Sequence, residues 1–386
     1  MKKVLYVVIR SISFEDGVGG MERSAADHIK EMSSKGYEIK LITTKEIAPD
    51  LSISEGISIA WPKNNILSLF GIEYLLWCRK VAIYFNKMDR DNDNRLIHFH
   101  GASVGVLFFL IRRKNDIFIT NPHGMEEFTF INLKNEINRF FIKWLAKNAI
   151  KADKVIATDN ILISKVKENL KVGEDKIELI PNAVNVKKLN FLATEINYKY
   201  IKNEDEFLIV SLGRVEYNKG YDLLANSLIG LKIKNKKIKW IHFGKGSQSV
   251  NIKKIIENKG VDFKLIDGAP DTKVNYFLSK CDIFVQPSRF EGSSLTTLEA
   301  MSHGCLIVAT PVGGIPDKIK HRITGLLCSD ISISSIHEQL KYASDLDSHN
   351  VLKIKNKAYE YVLNNFDLDS ISNKYANLYE KYRIGK

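Results

Sequence analysis

The sequence predicts an α/β protein made of two similar halves, each built around a parallel β-sheet. An apolar run at residues 4–9, a glycine-bearing loop, a helical pattern at 21–35 and a second apolar run at 37–43 open the chain. This strand–helix–strand order predicts parallel strands joined by a right-handed crossover. Short apolar runs between polar segments then recur to the end of the chain. A chain of 386 residues is also too long for one comfortable core, so two domains are expected.

The remaining elements follow from the same pattern. In the first half, strands are expected at residues 96–99, 117–120, 154–157 and 177–180. In the second half, they are expected at residues 208–212, 240–243, 263–266, 283–286 and 306–309. A closing helix is predicted at 367–382. The predicted domains are therefore 1–186, 187–365 and a C-terminal helical segment, 366–386.

Composition and the N-terminus indicate a cytoplasmic protein. Hydrophobic residues make up 45% and charged residues 26%, which is typical of a soluble globular chain. No apolar run reaches 18 residues, and the first one is too short for a signal sequence, so a buried strand is preferred. The four cysteines lack metal-binding spacing and are expected to be reduced and buried.

The formal net charge of +12 calls for an anionic partner or a solvated surface. Nucleic acid is disfavoured because aromatic and basic residues do not alternate as a stacking platform requires. Segments 74–90 and 133–151 combine apolar residues at helical spacing with basic ones, a pattern typical of helices at anionic bilayers. The candidate membrane residues are Arg79, Lys80, Arg139, Lys143 and Lys147. In the alternative, each apolar face packs inside the domain and the charge is solvated.

A motif at residues 288–300 is the most informative part of the chain. It follows an apolar run, so it indicates a strand, a polar loop and a helix that Ser293 or Ser294 caps and Gly304 ends. Glu291 and Glu299 bracket the N-terminus of this helix, where unpaired N–H groups favour anions. A ligand with hydroxyls and phosphates, such as a sugar nucleotide, fits both features. The alternative is an ordinary surface helix with acidic residues in its first turn.

A second motif, residues 213–220, follows another apolar run. Arg214 offers a planar fork for phosphate oxygens and Lys219 a point charge, while Gly213 and Gly220 allow close backbone approach. By itself, such a pair is more commonly solvated charge.

Together these motifs resemble the retaining glycosyltransferases of family 4. Seven residues separate Glu291 from Glu299, as in the Glu-x7-Glu signature of that family. Residues 19–23 resemble its N-terminal glycine loop, residues 121–124 its active-site histidine motif, and residues 180–185 its inter-domain segment. Ala183 replaces a usual glycine, and Ser293-Ser294 stand where an aromatic residue and a glycine are common.

The resemblance implies the GT-B fold: two facing Rossmann-like domains with parallel sheets and a ligand cleft between them. It assigns acceptor binding to the first domain and nucleotide-sugar binding to the second, with the last helix crossing back to the first domain. Ligands of such sheets lie beyond the carboxyl ends of the strands, where both motifs fall.

The resemblance also implies roles for individual residues. Arg214 and Lys219 are expected to neutralise the donor diphosphate without a metal, Glu299 to bind the ribose, and Glu291 to bind the transferred sugar. His123 is expected near the reacting sugar, bonded to a hydroxyl or stabilising the developing positive ring, with His98 and His100 as weaker candidates for acceptor contact. The predicted donor-binding set comprises Gly19, Gly20, Arg214, Lys219, Gly244, Glu291, Gly292, Ser293, Ser294, Leu295, Thr296 and Glu299.

No cofactor or metal is expected, and a UDP-sugar is preferred over a GDP-sugar as donor. The acidic segment 89–94 mimics a calcium loop, but Asn94 replaces the required glycine. A nicotinamide enzyme is disfavoured because Glu22 stands where a third glycine is needed.

The leading hypothesis is a peripheral enzyme at the inner face of the cytoplasmic membrane. It would transfer a hexose or N-acetylhexosamine to a glycan, expected to be lipid-linked, in O-antigen, capsule or related polysaccharide synthesis. Two alternatives are a soluble transferase acting on a small molecule or glucan, and a non-catalytic sugar-nucleotide-binding protein.

Overall fold

A computed structural model describes residues 3–12, 14, 20–46, 50, 52–62, 71–88, 95–128, 133–195 and 200–384. The chain divides into two compact units. The first contains residues up to Pro181, together with the stretch that begins at Ile371. The second contains residues 182–370.

The first unit is built on a seven-stranded sheet in which every described pairing is parallel. Its strands are β1 (Lys3–Val8), β2 (Tyr37–Thr43), β3 (Glu55–Ser58), β4 (Leu96–His100), β5 (Ile117–Asn121), β6 (Lys154–Ala157) and β7 (Ile177–Leu179). Their order in the sheet is β3-β2-β1-β4-β5-β6-β7. Its helices are α1 (Gly20–Ser34), α2 (Ile72–Lys87), α3 (Leu133–Asn138), α4 (Phe140–Ala146) and α5 (Asn160–Leu170).

The second unit has a six-stranded sheet, again with parallel pairings only. Its strands are β8 (Glu206–Leu212), β9 (Lys237–Phe243), β10 (Val261–Ile266), β11 (Ile283–Gln286), β12 (Leu306–Ala309) and β13 (Leu326–Leu327). Their order is β10-β9-β8-β11-β12-β13. The helices are α6 (Val186–Thr194), α7 (Tyr221–Leu228), α8 (Ser249–Ile256), α9 (Asp271–Lys280), α10 (Leu295–Ser302), α11 (Ile315–Lys318), α12 (Ile333–Asp345) and α13 (Ser348–Asn365).

A last helix, α14 (Leu368–Ile384), supplies residues 371–384 to the first unit. There the Tyr379 hydroxyl lies 2.7 Å from His98 Nδ1 on β4 and 2.9 Å from His28 Nε2 on α1. The helix is thus tied to the sheet of the first unit by buried polar contacts as well as by packing.

Both sheets are covered on two faces. In β8, Leu208 and Val210 join one hydrophobic cluster, while Phe207 and Ile209 join another. Because successive strand residues point to opposite faces, these clusters lie on the two sides of the sheet. The nearly continuous apolar runs of the sequence follow from this double burial.

The predicted fold class is confirmed, with parallel sheets in both halves of the chain. Segment 133–151 differs from the single amphipathic helix that its spacing suggested. It breaks at Arg139, whose φ of −97° and ψ of 2° are not helical, and ends in a 3₁₀ turn at Lys147–Lys151. In the described residues, no helix has both the length and the apolar character needed to cross a membrane.

Candidate functional site

The glycines at the ends of β8 and β9 hold two loops of the second unit together. Gly213 N donates to Phe243 O over 2.9 Å, and Gly244 N donates to Ile266 O over 2.8 Å. Gly244 has a φ of +132°, and a Cβ built on it would lie 2.1 Å from Gly213 O. Only glycine allows this approach, so Gly244 has a structural role at the carboxyl edge of the sheet.

A buried polar network missed by sequence analysis supports the same edge. His242 Nδ1 lies 2.8 Å from Ser211 Oγ, and His242 Nε2 lies 2.9 Å from the carbonyl oxygen of Gly213. Burial lowers the pKa of His242 to about 4, so the ring is neutral at pH 7. Polar residues inside apolar strands are the signal that could have revealed it, but only the sheet pairing β8–β9 brings them together.

The structure brings Lys219 and Glu291 together, although they lie 72 positions apart in the sequence. Lys219 Nζ lies 2.9 Å from both carboxylate oxygens of Glu291. Glu291 Oε2 also accepts hydrogen bonds from Ser288 Oγ at 3.0 Å and from Gln286 Nε2 at 3.2 Å. The side chains of Lys219 and Glu291 are 19% and 10% exposed, so the charges are largely shielded from water.

Helix α10 begins beside this pair. Its N-cap residue is Ser294, as predicted, although no side-chain hydrogen bond to a backbone N–H caps the helix. Instead, Thr297 Oγ1 donates to Ser294 Oγ, and Thr296 Oγ1 donates to Gln286 Oε1. The first N–H groups of a helix have no intrahelical partner and carry partial positive charge. The loop and helix start therefore combine a carboxylate, an ammonium group and oriented backbone donors.

An ion pair fixes the two motifs to each other. Arg289 makes hydrogen bonds of 2.7 and 2.6 Å to the two carboxylate oxygens of Asp222 on α7. The backbone N–H groups of Arg289 and Phe290 both donate to Asn218 O. Burial is the largest single effect on the pKa of Asp222 and raises it, but the hydrogen bonds and charge of Arg289, together with backbone N–H groups, outweigh burial and lower the pKa. The position of Lys219 is thus set by neighbours on both sides in the sequence.

A buried lysine also reaches the predicted sugar-binding segment. Lys318 on α11 is 1% exposed, and its Nζ donates to Ser293 Oγ over 2.9 Å. Ser293 is one of the two serines that depart from the family pattern. Sequence analysis missed Lys318 because it lies 25 residues away, behind the turn that contains Gly313 and Gly314.

Three further predicted donor residues, Arg214, Gly292 and Glu299, occupy the same unit. Arg214 is exposed in the loop after β8, and Glu216 close to it is held by Ser247, whose hydrogen bonds lower the pKa of Glu216. Glu299 is buried in the second turn of α10, 4% exposed. Gly292 precedes the helix, and its carbonyl accepts from Gly314 N.

In the first unit, His123 follows β5 in a left-handed backbone conformation with a φ of +56°. Its backbone N–H donates to Asn121 Oδ1 over 2.9 Å, and its Nε2 lies 3.0 Å from His100 Nδ1. Burial lowers the pKa of His123 to about 4. Gly20 begins α1, whereas Gly19, also predicted to bind the donor, lies outside the described residues.

His98 and His100 are interior residues, 0% and 3% exposed. The weaker hypothesis of acceptor contact does not fit this burial. Strand alternation points both rings to the same face of the sheet, where their centroids lie 4.4 Å apart.

The two candidate membrane segments differ. The apolar residues Tyr74, Trp77 and Phe85 of α2 are buried, which leaves Arg79 and Lys80 exposed beside one exposed apolar residue, Ile83. In the second segment, Leu133, Ile137 and Phe140 are 76%, 46% and 59% exposed. Lys147 is exposed, whereas Arg139 is half-buried and Lys143 pairs with Glu136.

No group of three or more histidine, cysteine, aspartate or glutamate side chains placed to hold a metal occurs in the described ranges. Segment 89–94, with its calcium-like pattern, lies outside them. The four cysteines are buried and form no disulfide.

Comparison with known families identifies the chain. The model of "Glycosyl transferases group 1" matches residues 193–361, and that of "Glycosyltransferase Family 4" matches residues 18–188. The chain is a group 1 glycosyltransferase of the family 4 type. The predicted family is thereby confirmed, and with it the prediction of a glycosyltransferase.

Relatives of known name include a yeast enzyme and a bacterial one. The "Phosphatidylinositol N-acetylglucosaminyltransferase GPI3 subunit" of Saccharomyces cerevisiae is 26% identical over 60% of this chain and 51% of its own length. The alignment thus spans about half of that relative. The "N-acetylgalactosamine-N,N'-diacetylbacillosaminyl-diphospho-undecaprenol 4-alpha-N-acetylgalactosaminyltransferase" of Campylobacter jejuni is 24% identical over 76% of this chain and 78% of its own length.

Solved structures establish the GT-B fold over the full chain. Sucrose-phosphate synthase from Thermosynechococcus elongatus matches with a TM-score of 0.78, 16% identity and full coverage of both chains. HepE of Anabaena, solved with UDP-glucose, matches with a TM-score of 0.70 and 15% identity, covering 98% of this chain and 99% of its own.

Proposed function

We propose that this glycosyltransferase moves a hexose or N-acetylhexosamine from a nucleoside-diphosphate sugar to a glycan acceptor, with retention of the anomeric configuration and without a metal. The observation that carries the proposal is the Lys219–Glu291 pair beside the start of α10. A sugar diphosphate needs a cation and N–H donors for its phosphates, and acceptors for its hydroxyls. The loops after β8 and β11 offer all three.

In the proposed complex, Lys219 and Arg214 neutralise the diphosphate, and Glu291 accepts hydrogen bonds from hydroxyls of the transferred sugar. Glu299 binds the ribose, and backbone N–H groups of the segment from Gly292 to Thr296 approach the sugar and phosphates. Gly244 keeps the neighbouring loop in place. A UDP-sugar is the preferred donor, and the UDP-glucose complex of HepE supports that choice by analogy.

The proposed transfer step uses these contacts. The bond from the anomeric carbon to the phosphate oxygen breaks, and a bond from the acceptor oxygen forms on the same face. The acceptor proton passes to a departing phosphate oxygen, so no separate base is needed. Positive groups at the phosphates stabilise the leaving group as its charge develops.

Two elements of the first unit complete the proposal. His123 contacts the reacting sugar, and Gly19 and Gly20 let the N-terminal loop approach the phosphate without a side chain. Each role can be tested by substitution in the full-length protein.

We further propose a lipid-linked acceptor in surface polysaccharide synthesis, such as O-antigen or capsule, with peripheral binding at the inner face of the cytoplasmic membrane. The Campylobacter relative is named for a diphospho-undecaprenol-linked sugar, which supports this class of acceptor. An aromatic row supports the membrane contact. Phe140, Phe141, Trp144 and Phe108 follow one another with ring centroids 5.3, 6.5 and 4.5 Å apart.

The two ends of this row, Phe140 and Phe108, are 59% and 47% exposed. Lys151 Nζ lies 5.1 Å from the Phe108 ring. Exposed aromatics beside lysines are suited to the boundary between headgroups and acyl chains.

The activity is tested by offering UDP-, GDP- and ADP-sugars to the purified protein and following donor turnover by NMR. The anomeric configuration of the product reports retention. Glu299→Gln is expected to lower kcat/KM roughly a hundredfold, since loss of one buried contact of this kind costs on the order of 2 to 4 kcal/mol. The exposed Glu360→Gln is the control. No turnover of any donor by the wild type would favour the non-catalytic alternative.

Membrane binding is tested by flotation with phosphatidylglycerol-containing vesicles. Phe140→Ser combined with Phe108→Ser is expected to release the protein. Arg79→Ser with Lys80→Ser, on the helix whose apolar face is buried, is expected to weaken binding less. Wild-type protein that stays with the soluble fraction would favour the soluble transferase.

A further inference from the structure

The first unit contains a buried cluster of four histidines that links the predicted active-site residue to the last helix. His28 on α1, His98 and His100 on β4, and His123 after β5 are each less than 9% exposed. The rings of His98 and His100 stack at 4.4 Å, and those of His100 and His123 at 5.2 Å. Of these four residues, only His123 has a proposed role in the reaction.

The contact between His100 and His123 constrains where their protons lie. His100 Nδ1 and His123 Nε2 are 3.0 Å apart, so one of them donates and the other accepts. The remaining nitrogen of His100, Nε2, is buried and has no hydrogen-bond partner among the described residues. Buried N–H groups without an acceptor are rarer in proteins than unused acceptor lone pairs. The proton of His100 therefore belongs on Nδ1, which donates to His123 Nε2.

The consequence for His123 is a fixed tautomer. Its Nε2 accepts from His100, so its own proton lies on Nδ1. The same argument applies to His98, whose Nε2 is also buried without a described partner and whose Nδ1 faces the hydroxyl of Tyr379. His98 then donates to Tyr379, and Tyr379 donates to His28 Nε2, which satisfies that part of the cluster.

We infer that His100 is a positioning residue that holds His123 as its Nδ1–H tautomer, so that His123 presents an N–H donor to an oxygen of the substrate. The catalytic part of this inference rests on the proposed function. It also narrows the proposed role of His123: a neutral N–H donor can bond a sugar hydroxyl, whereas it does not stabilise a positively charged sugar ring.

Burial and packing maintain this arrangement. Burial lowers the pKa of His123 to about 4 and moves the pKa of His100 well below its usual value, so both rings are neutral at pH 7. The stack on His98, tilted by 23°, fixes the plane of the His100 ring. Asn121 Oδ1 accepts a hydrogen bond from the backbone N–H of His123 and so holds its backbone.

Nitrogen NMR of the full-length protein with ¹⁵N-labelled histidine tests the tautomer directly. Two other histidines of the chain serve as references for the two tautomers. His242 Nε2 faces the carbonyl of Gly213, which can only accept, so His242 is an Nε2–H tautomer. His337 Nδ1 lies 2.7 Å from the carbonyl of Ser227, so His337 carries its proton on Nδ1. Assignment follows from loss of single signals in His123→Gln and His100→Asn.

His123 and His100 are expected to show the pattern of a neutral Nδ1–H ring at pH 7. A pattern like that of His242, or a charged ring, for His123 would overturn the inference. This result needs no substrate. It is therefore independent of the proposed function. The proposed contact of His123 with the sugar fails separately if His123→Gln leaves turnover unchanged.

Two variants test the effect on catalysis. In His100→Asn, the side-chain amide can still donate near the position of Nδ1, whereas His100→Phe keeps a ring against His98 but loses the donor. His100→Phe is expected to have a kcat about tenfold or more below that of His100→Asn, with similar donor KM, because small misplacements of a reacting group slow the chemical step. Equal kcat values, with an unchanged His123 spectrum in His100→Phe, would contradict a positioning role.

Discussion

At the residue scale, the Lys219–Glu291 pair is the centre of the candidate site. Both residues were predicted from sequence, since each lies in a loop directly after a buried strand. Their pairing could not be predicted, because it depends on β8 and β11 being neighbours in the sheet. Lys318 likewise carries no signal until its turn folds against Ser293. Gln286 and Ser288 lie within five residues of Glu291, but no pattern in the sequence marks their hydrogen bonds to it.

Lys219→Ala is expected to destabilise the protein by about 1 to 3 kcal/mol. Removal of the ammonium group leaves a carboxylate that is 10% exposed with only neutral donors. The free energy of unfolding in urea is the measurement. Adding Glu291→Gln to Lys219→Ala should recover part of the loss, since it removes the unpaired charge.

Lys341→Ala is the matched control, because its ion pair with Asp345 is half-exposed on both sides and contributes little. Equal stabilities of the Lys219 and Lys341 variants would contradict this account of the pair.

At the element scale, glycine positions decide how closely loops approach. Gly220 ends the 3₁₀ turn Tyr217–Lys219 with a φ of +67°, and a Cβ there would lie 2.0 Å from Pro287 O. Gly268 has a similar φ of +64°, but a Cβ there would meet nothing within 4 Å. Substitutions at Gly220 and Gly268 can therefore distinguish backbone strain from steric conflict.

Gly220→Ala is expected to cost more stability than Gly268→Ala. In both variants an alanine must adopt a left-handed backbone conformation, which costs about 1 kcal/mol. Only Gly220→Ala also forces the Lys219 turn away from the loop after β11. Urea unfolding and donor affinity are the measurements. A donor affinity that falls equally in both variants would show that the turn does not position Lys219.

The last helix contributes through Tyr379. Tyr379→Phe leaves His98 Nδ1 and His28 Nε2 without their described partner, which is expected to cost about 1 to 3 kcal/mol of stability. Tyr382→Phe on the same helix is the control, since that hydroxyl has no hydrogen bond in the described part of the chain. Thermal unfolding distinguishes them, and identical melting temperatures would contradict a stabilising role for Tyr379.

Sequence patterns predicted elements best where burial is continuous. Strands β2, β6, β11 and β12 have the expected bounds. Strand β3 was missed because Glu55–Ser58 has a single apolar residue, and β13 because two residues form no pattern. Segment 133–151 keeps helical spacing through a break at Arg139, so its periodicity could not reveal that three short elements replace one helix.

At the scale of the whole molecule, buried histidines predict how stability depends on pH. Burial lowers the pKa to about 3 for His28 and to about 4 for His123, His242 and His303. In the unfolded chain these groups titrate near 6.5. The unfolded state therefore binds more protons between pH 6.5 and 4, so the stability present above pH 6.5 is lost as pH falls through this range.

Each such histidine is expected to lower the free energy of unfolding by up to about 1.4 kcal/mol for each pH unit that the pH falls within this range. Urea unfolding at pH 7.0, 6.0 and 5.0 measures the slope. His28→Gln should reduce it, whereas substitution of the exposed His349 by Gln should not. A free energy of unfolding that is constant from pH 7 to 5 would contradict neutral burial of the cluster.

The central claim is that the loops after β8 and β11 bind a nucleotide sugar, with Lys219 at its diphosphate and Glu291 at the hydroxyls of its transferred sugar. Calorimetric titration of UDP-sugars into the wild-type protein and into folded Lys219→Ala tests it most directly. The account predicts binding by the wild type and a loss of roughly a hundredfold in affinity in the variant, as expected for one shielded phosphate contact. Equal affinities in the two proteins would contradict it.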